Sequence, residues 1–269
     1  MGVEYSGQRA TPRLDLGAAI FEFMQDAKDF IGTQIFPIFD TKIKKSTYPA
    51  ITRESLTQVG DTKRAMRGNY NRGGMGAKDK SYSCEENGWE SPLDDSERAL
   101  YATDFDAELA QSKIALGEVL RNQEKRVADR LFDTSVFTGS DLYTDNSANP
   151  WTDVSKDPIL QVRAAKGKIR ANCGMLPNAL VMSYTNLERL KGMTVIKDAI
   201  KYVAKTTDAE LANALADLFG VKYIFIGNAI KNAAKEGKAF ASADIWSSSY
   251  VSLAIIADNA KDLTQPTVG

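Results

Sequence analysis

Cys84, Cys173 and the adjacent carboxylate pairs Glu85–Glu86 and Asp94–Asp95 are the side chains with the most chemistry to offer in this 269-residue chain. A thiol becomes a nucleophile when a base or a cation favours its thiolate, and Cys84 stands instead beside two glutamates, which oppose ionisation. Two cysteines build neither a disulfide framework nor a zinc knuckle. Neighbouring acids divide into acid and base only where burial separates their pKa values. The pairs here lie in polar runs, CEENGWE and PLDDSER, that read as solvated surface. Histidine is absent from the chain altogether. Its absence removes Ser-His-Asp and Cys-His catalysis, His-ligated metal and the usual general base near neutral pH. Gly73-Gly74-Met75-Gly76 is no dinucleotide fingerprint, and Gly237-Lys238 lacks the rest of a phosphate loop. The expectation is a chain that is not an enzyme and takes no cofactor or metal, with Trp89, Trp151 and Trp246 as packing anchors.

Charge carries more information than motif. The 34 basic and 35 acidic residues nearly cancel, yet they are segregated. Residues 42–82 hold ten cations against three anions, or +7, and residues 83–110 hold nine anions against one cation, or −8. The basic block, with Tyr70 and Tyr82 for stacking, could grip nucleic acid, although the acidic block beside it would cancel much of that attraction. It could also cover its own acidic stretch. The third arrangement is self-complementarity between copies, a head-to-tail contact that closes into rings or shells. Arg64, Arg67, Arg72 and Lys78 would then face Glu86, Asp94, Asp95 and Glu97 of the next subunit.

The elements that must present these charges follow from spacing. Leu16, Ile20, Phe23, Ala27 and Phe30 predict a short amphipathic helix. The run FPIFDTKIKKSTYPAI after it reads as extended. Residues 65–80, with Gly68, Gly73, Gly74 and Gly76, are expected to form a mobile tip on a two-stranded excursion over roughly 46–90. Thr103 with Asp106 matches a capping box. Beyond it, Phe105, Leu116 and Val127, and likewise Leu109, Leu120 and Leu131, recur at eleven residues, which predicts one straight helix over 103–135, roughly 50 Å long. Ser155 or Asp157 with Pro158 opens a further helix that ends near Cys173-Gly174. Strands at 178–183, 221–226 and 250–256 alternate with helices at 184–191, 195–204 and 208–219, the pattern of an α/β layer. No apolar run reaches membrane-spanning length, and the opening MGVEYSGQRATPRLDL has no apolar h-region, so a cleaved secretory signal is not expected.

The order of hairpin excursion, long helix and α/β unit resembles the HK97-fold major capsid proteins of tailed bacteriophages. The runs FPIFDTKIKKSTYPAITRESL, DKSYSCEENGWESPLDDSERA, EKRVADRLFDTSVF, PWTDVSKDPILQVRAAKGKIRANCGMLPNALVMS, LADLFGVKYIFIG and IWSSSYVSLAI are similar to coat subunits of that family. The resemblance implies an α+β fold with an N-terminal arm over 1–40 and an extended β-hairpin E-loop over 41–93. A P-domain over 94–150 would contain the spine helix, an A-domain would span 151–245, and 246–269 would return to the P-domain, with a truncated C-terminus as one expectation. It implies a major capsid protein that assembles as pentamers and hexamers into an icosahedral head around double-stranded DNA, without sequence-specific contacts. Scaffolding, portal and decoration proteins would be partners, and assembly would occur in the host bacterial cytoplasm. An encapsulin-like nanocompartment shell is the alternative within the fold, and a nucleic-acid-binding protein using 42–82 the alternative outside it. The lysine–asparagine cross-link of some relatives has no matching lysine here.

Overall fold

The computed structural model describes residues 30–102, 106–200 and 208–257. Residues 16–29 of the predicted helix, residues Thr103–Phe105, the end of the 195–204 helix and the C-terminal tail lie outside them. The chain divides into two compact units, one of residues 39–87 and one combining 1–38 with 88–269.

The smaller unit is an antiparallel hairpin. Strand β1 (Lys45–Ile51) pairs with β2 (Ala77–Ser83), in register from Lys45 opposite Ser83 to Ile51 opposite Ala77. The larger unit begins, among described residues, with the single turn α1 (Gly32–Ile35). Helix α2 (Arg53–Thr57) belongs to the hairpin unit, and α3 (Asp95–Tyr101) leads into α4 (Ala107–Leu131) in the larger one.

Helix α4 has 25 residues, about 38 Å, and not the 50 Å that the spacing predicts. Asp106 is its N-cap: the backbone there is extended and the carboxylate accepts the Leu109 N–H at 3.0 Å. The start is therefore set by Asp106 itself rather than by Thr103. At the other end Phe132 leaves the helix to pack edge-on against Trp246, and Asp133 accepts the Ser135 N–H in a local turn that competes with further helix. The two eleven-residue rows do not share one buried face. Leu120, Val127 and Leu131 meet the core, whereas Leu109 and Leu116 are exposed.

The segment after α4 matches the sequence reading closely. Helix α5 (Pro158–Cys173) takes Asp157 as its cap, with Pro158 in the first turn and Gly174 in the left-handed conformation at its end (φ 74°). Strand β3 (Ala179–Ser183) is buried throughout. Helices α6 (Tyr184–Gly192), α7 (Thr194–Ile200) and α8 (Asp208–Phe219) carry the chain over to β4 (Tyr223–Gly227), which pairs parallel with β3. A small hairpin, β5 (Ile230–Asn232) with β6 (Ser242–Asp244), precedes β7 (Ser252–Ala254), which pairs antiparallel on the other side of β3. The sequence reading contains no β5 or β6.

Strand β3 explains why the layers hold. Its side chains alternate: Ala179 and Val181 enter a cluster with Ile35, Ala128, Leu131 and Trp246, while Leu180 and Met182 enter one with Leu187, Leu190, Ile196 and Leu215. One strand thus joins the α4 side to the α5–α8 side. Asn178, just before it, ties both neighbours down. Its carbonyl accepts from Lys222 and Tyr223, and its side-chain amide exchanges bonds of 2.7 and 2.8 Å with Ile256.

The three tryptophans diverge. Trp246 is fully buried, Trp151 is half-buried with its N–H donated to Gln161, and Trp89 is exposed (56%), so among the described residues Trp89 is no part of a buried core.

Candidate assembly surface

The hairpin unit has no core. Every residue from Phe39 to Asn87 is at least partly exposed. Two strands alone are marginal in water, and what closes this pair is polar. Cys84 N–H donates to Lys44 C=O, Lys44 Nζ donates to Glu86 at 2.5 Å, and the Tyr82 hydroxyl donates to Ile43 C=O. The Tyr48 and Tyr82 rings lie 6.5 Å apart across the pair.

At the far end Thr52 caps α2, and the chain stays off the ladder over residues 52–76 before Ala77 rejoins it. The Gly76 N–H donates to Ser55 Oγ at 2.6 Å and its C=O accepts from Thr52 N–H. A Cβ at Gly76 would stand 2.9 Å from Ser55 Oγ and 3.1 Å from Thr52 Oγ1. A side chain here would press on both hydroxyls and one of them would have to give. Gly73 and Gly74 have open space around them, and Gly68 closes a turn onto the Ala65 carbonyl.

The four cations singled out from sequence are all in this unit. Arg64 stacks over Tyr70, 4.6 Å from the ring centre. Arg67 occupies a left-handed backbone conformation (φ 64°), unusual for a residue with a side chain. Arg72 is exposed on the glycine-rich run. Lys78 on β2 stands near Glu54, whose carboxyl is held below its ordinary 4.5, first by a hydrogen bond to its own backbone and then by Lys78 and Arg53. Around them Val59, Met66, Tyr70 and Met75 are exposed by 70% or more, so the tip presents Arg, Met and Tyr together, the mixture enriched in buried interface centres.

The acids divide between the two units. Glu86 belongs to the hairpin unit, where it pairs with its own Lys44, so the −8 block is divided between the two units. Counted over 39–87, the hairpin unit holds ten cations and six anions, +4 rather than +7. Asp94, Asp95 and Glu97 open α3 in the larger unit. Asp94 is its cap, accepting from Ser96 N–H and hydroxyl at 2.8 and 2.6 Å, and Asp95 and Glu97 stand in the first turn, at the positive end of the helix.

Bonding by the serine two residues on, hydroxyl first and N–H second, holds Asp94, Asp133 and Asp153 below the ordinary 3.8. Because the folded values are depressed, these bonds support the fold fully above 3.8 and are lost as the pH falls through the lower folded values. Carboxyl chemical shifts of these three aspartates, followed by NMR through acid, are expected to titrate below those of an unstructured peptide. Midpoints at the peptide value would show the turns open in solution.

One charged group escaped the sequence reading. Glu124 of α4 is buried (2% exposed) and accepts three hydrogen bonds: from Trp246 Nε1 at 2.7 Å, Gly32 N–H at 2.7 Å and Ile31 N–H at 3.0 Å. It ties the segment before residue 38 to the long helix and to the last part of the chain. The signal was present: Glu124 lies between Leu120 and Val127, on the apolar stripe that enters the core.

No family model matches the chain. The major capsid protein of Burkholderia phage BcepMu is 26% identical to it over 226 residues, 83% of this chain and 70% of that protein. The chain is thus similar to a phage major capsid protein. A solved structure, a phage-related protein from Bordetella bronchiseptica RB50, matches with a TM-score of 0.61 at 21% identity, over 92% of this chain and 77% of that one, a likeness of fold. The resemblance to phage coat subunits, read from ordered runs of sequence, is thereby borne out at the level of a phage capsid protein of mixed helix and sheet. That similarity supports a capsid role for the chain. Among the described residues no helix is long and apolar enough to cross a membrane.

Proposed function

We propose that this capsid-protein relative is the repeating tile of an icosahedral phage head, joined to its neighbours head to tail and enclosing double-stranded DNA. The observation that carries the proposal is the coreless hairpin: a polar two-stranded unit whose exposed tip offers cations and apolar side chains together. Such a unit gains stability when another surface covers it. In this reading the hairpin is the E-loop, α4 the spine helix, the β3-centred layers belong to the A-domain, and copies gather as pentamers and hexamers. Scaffolding, portal and decoration proteins complete the assembly in the bacterial cytoplasm, and the product is a virion shell. Arg64, Arg67 and Arg72 steer the tip onto Asp94, Asp95 and Glu97 of the next copy. Near-neutral net charge suits a container that must release its DNA.

The test is the triple variant Arg64→Glu, Arg67→Glu, Arg72→Glu. Exposed ion pairs contribute about 0.2–1 kcal/mol each, so the folded subunit should keep its denaturation midpoint. Repeated around a ring, the same losses should abolish capsomers in sedimentation and negative-stain images. Normal shells from this variant would remove the charge account. Nuclease-protected DNA inside wild-type shells is the expected content; shells filled with protein would place the chain with encapsulin-like compartments instead. Steep salt-dependent DNA binding by dispersed subunits would favour the nucleic-acid reading.

A further inference from the structure

Asn87–Gly88 is the single Asn-Gly pair in the sequence, and the chain passes from the hairpin unit to the larger unit between these two residues. Both are exposed and lie outside helix and strand. A Cβ at Gly88 would meet nothing within 4 Å. Among the described residues no hydrogen bond holds the Gly88 N–H, and the Asn87 amide makes only a long 3.3 Å bond to the Glu85 carbonyl.

We propose that Asn87–Gly88 is a self-modification site, at which the backbone nitrogen of Gly88 attacks the side-chain amide of Asn87 and converts it to a carboxylate. The Gly88 nitrogen gives its proton to solvent and bonds to Asn87 Cγ. The Cγ–Nδ2 bond breaks and the amide nitrogen leaves as ammonia, closing a five-membered succinimide. Water then opens the ring at one carbonyl or the other, giving aspartate or isoaspartate. No oxidation is involved, and water is the one co-reactant. Glycine matters because it has no Cβ to hinder the approach and explores backbone angles closed to other residues.

The other exposed asparagines lack this combination. Asn69 precedes Tyr70, and Asn71 precedes Arg72 with its amide held on the Asp61 carbonyl at 2.7 Å. The Ser147 N–H after Asn146 is bonded to Asp145, and Asn149 precedes a proline, which has no N–H. The product adds a negative charge beside Glu85, Glu86 and Glu90, and isoaspartate lengthens the backbone by one methylene where the two units join. The inference holds whether or not the chain assembles.

The full-length protein is incubated in mildly acidic and mildly alkaline buffer, then peptide-mapped by mass spectrometry, with isoaspartyl methyltransferase labelling to detect the rearranged product. Conversion should concentrate at Asn87, rise with alkalinity and include isoaspartate. Gly88→Ala should slow it by about tenfold, equivalent to about 1.4 kcal/mol on the barrier, and Asn87→Gln should abolish the product at that position. Conversion at Asn87 no faster than at Asn69, or unchanged by Gly88→Ala, overturns the proposal.

Discussion

Replacing Glu124 by alanine is expected to lower stability by about 3–5 kcal/mol, because it strands three buried donors at once. Each orphaned N–H costs roughly 1–3 kcal/mol, and the three share one site, so the losses do not simply add. In thermal melts the variant should fall by roughly 10 °C, given a few degrees per kcal/mol for a chain of this size. Glu124→Gln separates the charge from the geometry. Its carbonyl can still accept from Trp246, but its NH2 would face another donor, the Gly32 N–H, so an intermediate loss is expected. A Glu124→Ala protein that melts with the wild type would mean that the three bonds contribute nothing net. Limited proteolysis gives an independent reading: cleavage near Ile31 should accelerate in Glu124→Ala, since two of the three bonds hold that segment.

Gly227→Ala is expected to be as damaging, by the opposite route. A Cβ at this position would lie 2.2 Å from Trp246 Cγ and 2.3 Å from Cδ1, far inside contact distance. Neither side can yield easily. Gly227 ends β4 paired with Ser183, and Trp246 is fully buried, bonded to Glu124 and packed edge-on against Phe132. Overpacking a core costs about 1–3 kcal/mol and occasionally more, so an effect at or above the top of that range is expected, seen as insoluble protein or a sharply lowered urea midpoint. The mechanism has its own check in a double-mutant cycle. Trp246→Leu alone should destabilise by leaving a cavity, and Gly227→Ala should cost less in that background than in the wild type. Additive losses would show that the glycine is needed for another reason.

How much of this was legible in the sequence depends on how local each cause is. Asp157-Pro158 and Gly174 bracket α5 because cap, first-turn proline and left-handed glycine are decided within a few residues of the chain. Strand β3 could be read because burial on both faces leaves a continuous apolar run. The helix start at Asp106 could not be read from Thr103 and Asp106 alone, since an aspartate can serve as cap or as third residue and the spacing fits both. Strands of three residues, β5 and β6, are too short to show a period. Glu124 has partners 93 and 122 residues away, and a lone glutamate in a helix reads as solvated until those partners are known. The candidate surface was half legible. The cations and glycines of the tip stand out in composition, but the Lys44–Glu86 pair, the Arg64–Tyr70 stack and the packed role of Gly76 depend on register across the hairpin.

The reach of the Glu124 bonds also sets a schedule for biosynthesis. Trp246 follows Glu124 by 122 residues, so at about 5–20 residues per second the ribosome delivers it on the order of ten seconds later. Until then the carboxylate has no indole to receive, and β3 waits for both β4 and β7. The part of the interior built on these contacts cannot close until Ala254 has been made. Neighbouring half-made chains on one polysome therefore stand side by side with this interior still open, a state in which transiently exposed apolar surface is prone to aggregate.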